Sequence, residues 1–234
     1  MRFIKKGQEP QFFAEWKAKE NDDWKPVYSN LQKPEKPKVL DALLEEQGYT
    51  CCYCGMSITK DISHIEHLQP QNEKNPDLSK DKDLALAIDF SNLLASCGFS
   101  DKSKMSASEY KDFLHCLEHC GCKRGNEPLA VSPLQPDCNG FFRYLYVDDE
   151  LEIIPTKEPD KQQLATDTIK TLNLNYSRLM AMRGEAIKGS LEAIEGLTQE
   201  EIEIFIRTYE QPNQQAFSFA IAYILKQFLP PRLP

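Results

Sequence analysis

Residues 49–71, YTCCYCGMSITKDISHIEHLQPQ, bring Cys51, Cys52 and Cys54 within a short span of His64 and His67. Cys51-x-x-Cys54 followed by glycine suits a tight knuckle that points two thiolates at one ion. Zinc then demands two more soft ligands to complete a tetrahedron. Downstream candidates are Cys97 and either Cys120 or Cys122, with Cys138 as a substitute for one of the four. A redox pair and ordinary buried thiols are the competing readings, but no βαβ pattern surrounds the motif. Cys52 reads as a packing residue, and Cys116 as a core residue on the same helical face as Cys120. His115 and His119 share that spacing, as an accessory site or as core histidines.

A zinc closed by four thiolates has no open position, so the chemistry must lie elsewhere. The segment HIEH supplies it. His67 suits a general base near neutral pH, since an unperturbed imidazole has a pKa of roughly 6.5. Glu66 and His64 are two residues apart, share one face of a strand, and could hold a hard divalent ion. The same alternation turns His67 to the other face, which requires a bend before Pro70 or an ion reached from the strand end. His64-x-Glu66 also matches half of a zinc-deaminase signature. In those enzymes, however, the cysteine pair follows and carries a proline, whereas here it precedes and carries none.

These groups need elements to position them. VLDALLEEQGYT has apolar residues at 39, 40, 43 and 44, a helical period closed by Gly48. ISHIEHLQP reads as a strand stopped by Pro70, and DLALAIDFSNLLASC as an apolar segment ending at Cys97. FLHCLEHC reads as helix, and FFRYLYVDDELEIIP as a hairpin around Asp148-Asp149. From about residue 160 the pattern is helical, with Thr198 and Glu201 forming a capping box. The stretch 1–20 reads as an irregular lead into a short helix. Residues 21–38 read as a proline-rich surface linker, 71–83 as a polar loop and 98–112 as an exposed insertion. The expected division is an N-terminal helical and linker segment (1–50), a central domain (51–158) and a C-terminal helical region (159–234) that packs on the centre or docks a partner.

The bulk numbers agree with a globular chain of 234 residues, 41% hydrophobic and 27% charged. No apolar run approaches the roughly 20 residues needed to span a bilayer. No apolar stretch backs the charged N-terminus, so the expectation is a cytoplasmic protein whose thiols stay reduced and favour metal over disulfide. All eight cysteines and all four histidines fall between residues 51 and 138. The net charge is -8; residues 1–40 hold nine Lys+Arg against six Asp+Glu, and residues 41–149 ten against eighteen. Such a balance argues against gripping nucleic acid by charge alone. A polyanionic substrate would require a metal, or a partner that supplies the grip. A non-catalytic, zinc-organised adaptor is the alternative reading.

Taken together, CCYCG, SHIEHLQPQ, DFSNLLASC, HCGCKRGN and VSPLQPDC resemble the His-Asn-His (HNH) endonucleases. The resemblance is to the retron-associated subgroup that includes the nuclease subunit of Septu-type phage-defence systems. It covers about residues 1–180, including the opening RFIKKG. It implies an α+β fold: a ββα-metal nuclease core with a structural zinc knot, flanked by mainly helical N- and C-terminal regions. By resemblance, Glu66 falls on a metal-binding position, His67 on the general base and Asn92 on the middle Asn that braces the active-site loop. Cys51, Cys54, Cys97 and Cys120 fall on the zinc thiolates. Many HNH enzymes carry Asn or His after the last zinc cysteine, but here that position is Gly121. The second protein ligand to the catalytic ion is then one of His64, Asn126 and Asp137. Arg124 is a candidate for contact with the scissile phosphate, or caps a helix end. The implied cofactors are structural Zn2+ and a catalytic Mg2+ or Mn2+. The implied substrate is nucleic acid, DNA before RNA or tRNA. The implied partners are an ATPase subunit of the same defence system and, indirectly, a retron reverse transcriptase with its RNA–DNA product.

Overall fold

The computed structural model describes residues 1–70, 84–99, 114–211 and 215–230. The loop expected at 71–83 and most of the insertion expected at 98–112 lie outside the described residues. Two helices come first, α1 (Gln11–Lys17) and α2 (Glu35–Glu46), then an antiparallel pair, β1 (Ser63–His67) and β2 (Leu93–Cys97). A short helix α3 (Cys120–Arg124) follows, then a second antiparallel pair, β3 (Phe142–Val147) and β4 (Glu150–Pro155). Among the described residues four α-helices follow: α4 (Pro159–Thr171), α5 (Ser177–Ala193), α6 (Gln199–Glu210) and α7 (Ser218–Leu225). The class is α+β.

Helix α2 starts at Glu35, inside the stretch read as a linker. Pro37 does not prevent this, because a first-turn residue has no intrahelical N–H bond to lose. Val39, Leu40, Leu43 and Leu44 form its buried face, and Gly48 follows its end with φ 61. That face packs on β2, every residue of which is buried. The register pairs Ser63 with Cys97 and His67 with Leu93. Helix α3 packs on β2 as well, so two strands and a short helix surround the HIEH segment.

The segment FLHCLEHC is not one helix. Leu114–Glu118 is a 3-10 turn, His119 is extended (φ -147, ψ 175), and Cys120 opens α3 with φ 58. The break turns the Cys120 thiol inward toward the other cysteines; one continuous helix would have aligned it with Cys116 instead.

In the second pair, Asp148 and Asp149 adopt φ 52 and φ 59, the left-handed conformations that a two-residue hairpin turn requires. Helices α4 and α5 cover β4, and the capping box of Thr198 and Glu201 opens α6. Helix α7 returns to the cysteine knuckle: Phe217 N–H donates to Gly55 O at 2.8 Å, and the Phe219 and Tyr223 rings meet Tyr144. One core cluster therefore runs from Met1 to Leu225. The opening RFIKKG straps onto it, with Lys6 Nζ donating to Glu46 Oε2 at 2.6 Å and to Leu93 O at 3.0 Å. Among the described residues no helix is long and apolar enough to cross a membrane.

Candidate metal centre and active site

Cys51, Cys54, Cys97 and Cys120 are all buried, and their sulfurs all lie within 4.8 Å of one another. Cys54 and Cys97 Sγ are 4.0 Å apart, twice a disulfide length. Tetrahedral zinc with Zn–S bonds of about 2.3 Å separates its sulfurs by roughly 3.8 Å, so the cage has the right size. The backbone N–H of Cys97 donates to Cys51 Sγ at 3.3 Å, which favours a thiolate there. A further observation bears on the charge of the cluster. Arg183 of α5 is fully buried; its Nη1 donates to Leu174 O at 2.7 Å, but Nε and Nη2 have no partner. Burial disfavours its charge, and the neighbouring Cys54, Cys120 and Cys51 would oppose that as thiolates. A buried cation needs a counter-charge, and a zinc tetrathiolate, with two net negative charges, supplies one. The residues present fit zinc.

The other cysteines stand apart from this cage. Cys122 is exposed, and Cys138 is buried beside Asn139, so neither replaces one of the four. Cys116, read from the sequence as core, is fully buried and lies beside His115 and His119.

Strand β1 carries the second group. His64 and Glu66 share a face, with His64 Nε2 3.2 Å from Glu66 Oε2. Glu66 Oε1 accepts from Tyr53 OH at 2.9 Å and from Arg124 Nη1 at 2.7 Å. Burial raises the Glu66 carboxyl, but His64, Arg124 and Tyr53 outweigh it and hold the group ionised below its ordinary range. Two glycines make room for this pair. A Cβ on Gly121 would lie 2.3 Å from Glu66 Oε2, and one on Gly98 would lie 2.6 Å from His64 Nδ1. The departure at Gly121 thus has a steric reason: α3 passes too close to the carboxylate for any side chain. The imidazole and the free side of the carboxylate form a donor set suited to a hard divalent ion. Cis ligands of an octahedral Mg2+ lie ~3 Å apart, near the spacing seen here.

Arg124, at the end of α3, reaches back to β1. It is buried, and its guanidinium donates to Glu66, Tyr53, His67 O, Leu68 O and, through Nε, to Glu127 O. Its head group is turned inward, onto Glu66, Tyr53 and the carbonyls that follow β1. Asn126 is exposed on the turn after α3. Asp137 accepts from Gln135 at 2.7 Å and pairs with Lys161. Of the three proposed second ligands, the structure brings His64 to Glu66.

His67 ends β1 and faces the other way, as alternation requires. Its ring meets Tyr28 edge-on at 4.5 Å, and Nε2 is 3.0 Å from Ala87 O. In a neutral ring this bond fixes the proton on Nε2 and leaves the basic lone pair on Nδ1. Burial lowers the His67 pKa; Lys36 adds to the effect, while the Ala87 bond and the Glu66 charge oppose it. Asn92 clamps the chain just past His67. Its Oδ1 accepts from Gln69 N–H at 2.8 Å, and its Nδ2 donates to Gln69 O at 3.2 Å and to Leu86 O at 3.1 Å.

Tyr28, Lys33 and Lys36 are residues that the sequence reading missed. With Lys60 and His64 they line an open groove of about 290 Å³ beside β1. They come from the stretch read as linker. The available signal was charge, since residues 1–40 are the one segment with more basic than acidic residues.

No protein-family model matches the chain. A curated relative from Vibrio cholerae serotype O1 biovar El Tor, named "Retron Vc95 putative HNH endonuclease", is 26% identical over 153 residues. The match covers 65% of this chain and 65% of that relative, so the chain spans just under two thirds of the relative's length. The similarity supports the HNH endonuclease family and, with it, a nuclease.

Proposed function

We propose that this chain is a metal-dependent HNH-type endonuclease that hydrolyses phosphodiester bonds of nucleic acid. The observation that carries the reading is the β1–β2 hairpin. It sets Glu66 and His64 on one face and His67 on the other at the strand end, where an ion on Glu66 is reached around that end, and Asn92 ties down the chain beyond.

In this reading His67 Nδ1 takes a proton from water as the water oxygen bonds to phosphorus. The bond from phosphorus to the 3′ oxygen breaks, leaving a 5′-phosphate and, after protonation from solvent, a 3′-hydroxyl. The Ala87 carbonyl and the Tyr28 ring hold the imidazole in its tautomer and orientation. Glu66 Oε2 and His64 Nε2 would hold the divalent ion, Mg2+ or Mn2+, whose chemistry is to neutralise charge on the leaving oxygen and the phosphate. Arg124 and Tyr53 fix the Glu66 carboxylate from its other side. Cys51, Cys54, Cys97 and Cys120 would hold the structural zinc that ties β2 and α3 together.

The groove beside His64 is the place for the phosphate backbone, with Lys33, Lys36 and Lys60 on its walls. A few lysines in a chain of net charge -8 give a weak grip. We therefore assign the chain as the effector subunit of an anti-phage defence system whose ATPase partner supplies the rest, with DNA as the substrate. The retron in the relative's name supports a link to a reverse transcriptase and its RNA–DNA product. The test is cleavage of labelled duplex DNA, single-stranded DNA and structured RNA with Mg2+, Mn2+ or EDTA, each with and without the ATPase. Cutting that EDTA abolishes supports the enzyme and identifies its substrate. Silence in every arm from folded, zinc-loaded protein would favour the adaptor.

A further inference from the structure

We propose that His115, Cys116 and His119 form a second soft-metal site, beside the four-thiol cage, that takes a zinc-class divalent ion. The three side chains are buried, and their ligand atoms lie within 4.8 Å of one another. His115 Nε2 and Cys116 Sγ are 3.6 Å apart. Tetrahedral zinc, with Zn–N of about 2.0 Å and Zn–S of about 2.3 Å, sets these atoms roughly 3.6 Å apart.

His119 supplies the independent observation. Its Nδ1 lies 3.1 Å from Cys120 Sγ and 3.6 Å from Cys97 Sγ, while its Nε2 is buried with no partner. If His119 only donated Nδ1–H to the thiolates, Nε2 would stay an unsatisfied acceptor in the core, which native proteins avoid. Binding a metal through Nε2 satisfies both nitrogens. It also reproduces the usual arrangement in which a ligating histidine donates its other N–H to an anionic neighbour.

Three protein ligands leave the fourth position of such an ion for water. Charge fits as well. Two divalent ions against the thiolates of Cys51, Cys54, Cys97, Cys116 and Cys120 leave one negative charge, which the buried Arg183 balances. Such an ion would pin the turn at 114–118 to α3, the helix that presses Gly121 onto Glu66.

The test is titration of the metal-free full chain with cobalt(II) in excess Mg2+, read by thiolate-to-cobalt charge-transfer absorption. A carboxylate–imidazole site gives no such absorption. The band should saturate at two equivalents for the wild type and at one for H115N/H119Q. Saturation at one equivalent in the wild type, or at two in the double variant, would overturn the site. If the double variant does not fold, the wild-type saturation point decides, two equivalents supporting the site and one overturning it.

Discussion

Arg124 and Glu66 form a buried ion pair, Nη1 to Oε1 at 2.7 Å, across 58 positions of sequence. The pair leaves only Oε2 of the carboxylate facing His64. Removing the cation would strand a buried carboxylate and free four acceptors, Tyr53 OH, His67 O, Leu68 O and Glu127 O. Breaking one side of such a pair costs about 3–5 kcal/mol. R124A should therefore lower stability by that order in denaturant unfolding, and R124K should recover only part of it, since an ammonium cannot reproduce the planar fork.

Gly121 has no space for a side chain. G121A places a methyl against Glu66 Oε2, and overpacking of this kind costs roughly 1–3 kcal/mol. The carboxylate must also move, so cleavage should fall by more than stability alone explains. The control is G189A in α5, where a Cβ meets nothing within 4 Å. That variant should match the wild type in cleavage, with a Tm at or somewhat above it because Ala favours a helix interior over Gly.

The thiol cage predicts a clean split among the cysteines. C54S should lose zinc, measured as metal per chain, and unfold at a much lower temperature, because metal binding and folding are coupled in such sites. C122S removes an exposed thiol outside the cage and should keep both its zinc and its Tm.

The groove lysines predict a salt signature. K33E and K36E, made in an H67A background so that nothing is cut, should weaken nucleic-acid binding in fluorescence anisotropy. Each lost phosphate contact should lower the slope of log K against log salt by about one. Unchanged slopes would place the backbone elsewhere.

How much of this was legible from the sequence depended on range. The β1 strand, the Asp148-Asp149 hairpin turn, the Thr198–Glu201 cap and the knuckle at Cys51 are local patterns, and the sequence carries them openly. The choice of Cys97 and Cys120 over Cys122 and Cys138 came from the family resemblance; spacing alone left it open, because the turn at His119 decides which thiol faces inward. The burial of Arg124 was hidden, since nothing local says that a lysine-arginine pair at a helix end will reach back to β1. Tyr28 and Lys36 were hidden for a different reason. Three prolines made their segment look like a tether, although Pro37 sits harmlessly in the first turn of α2 and the chain before it packs against His67.

The most direct test is the cleavage rate of wild type against H67A, in the same metal and on whichever nucleic acid the wild type cuts, with Tm measured alongside. Loss of a general base lowers the rate by about 10²–10⁴-fold. H67A should show a fall of that size, with its zinc content unchanged and its Tm close to wild type. An H67A protein that cuts at the wild-type rate would contradict the assignment of His67 as general base.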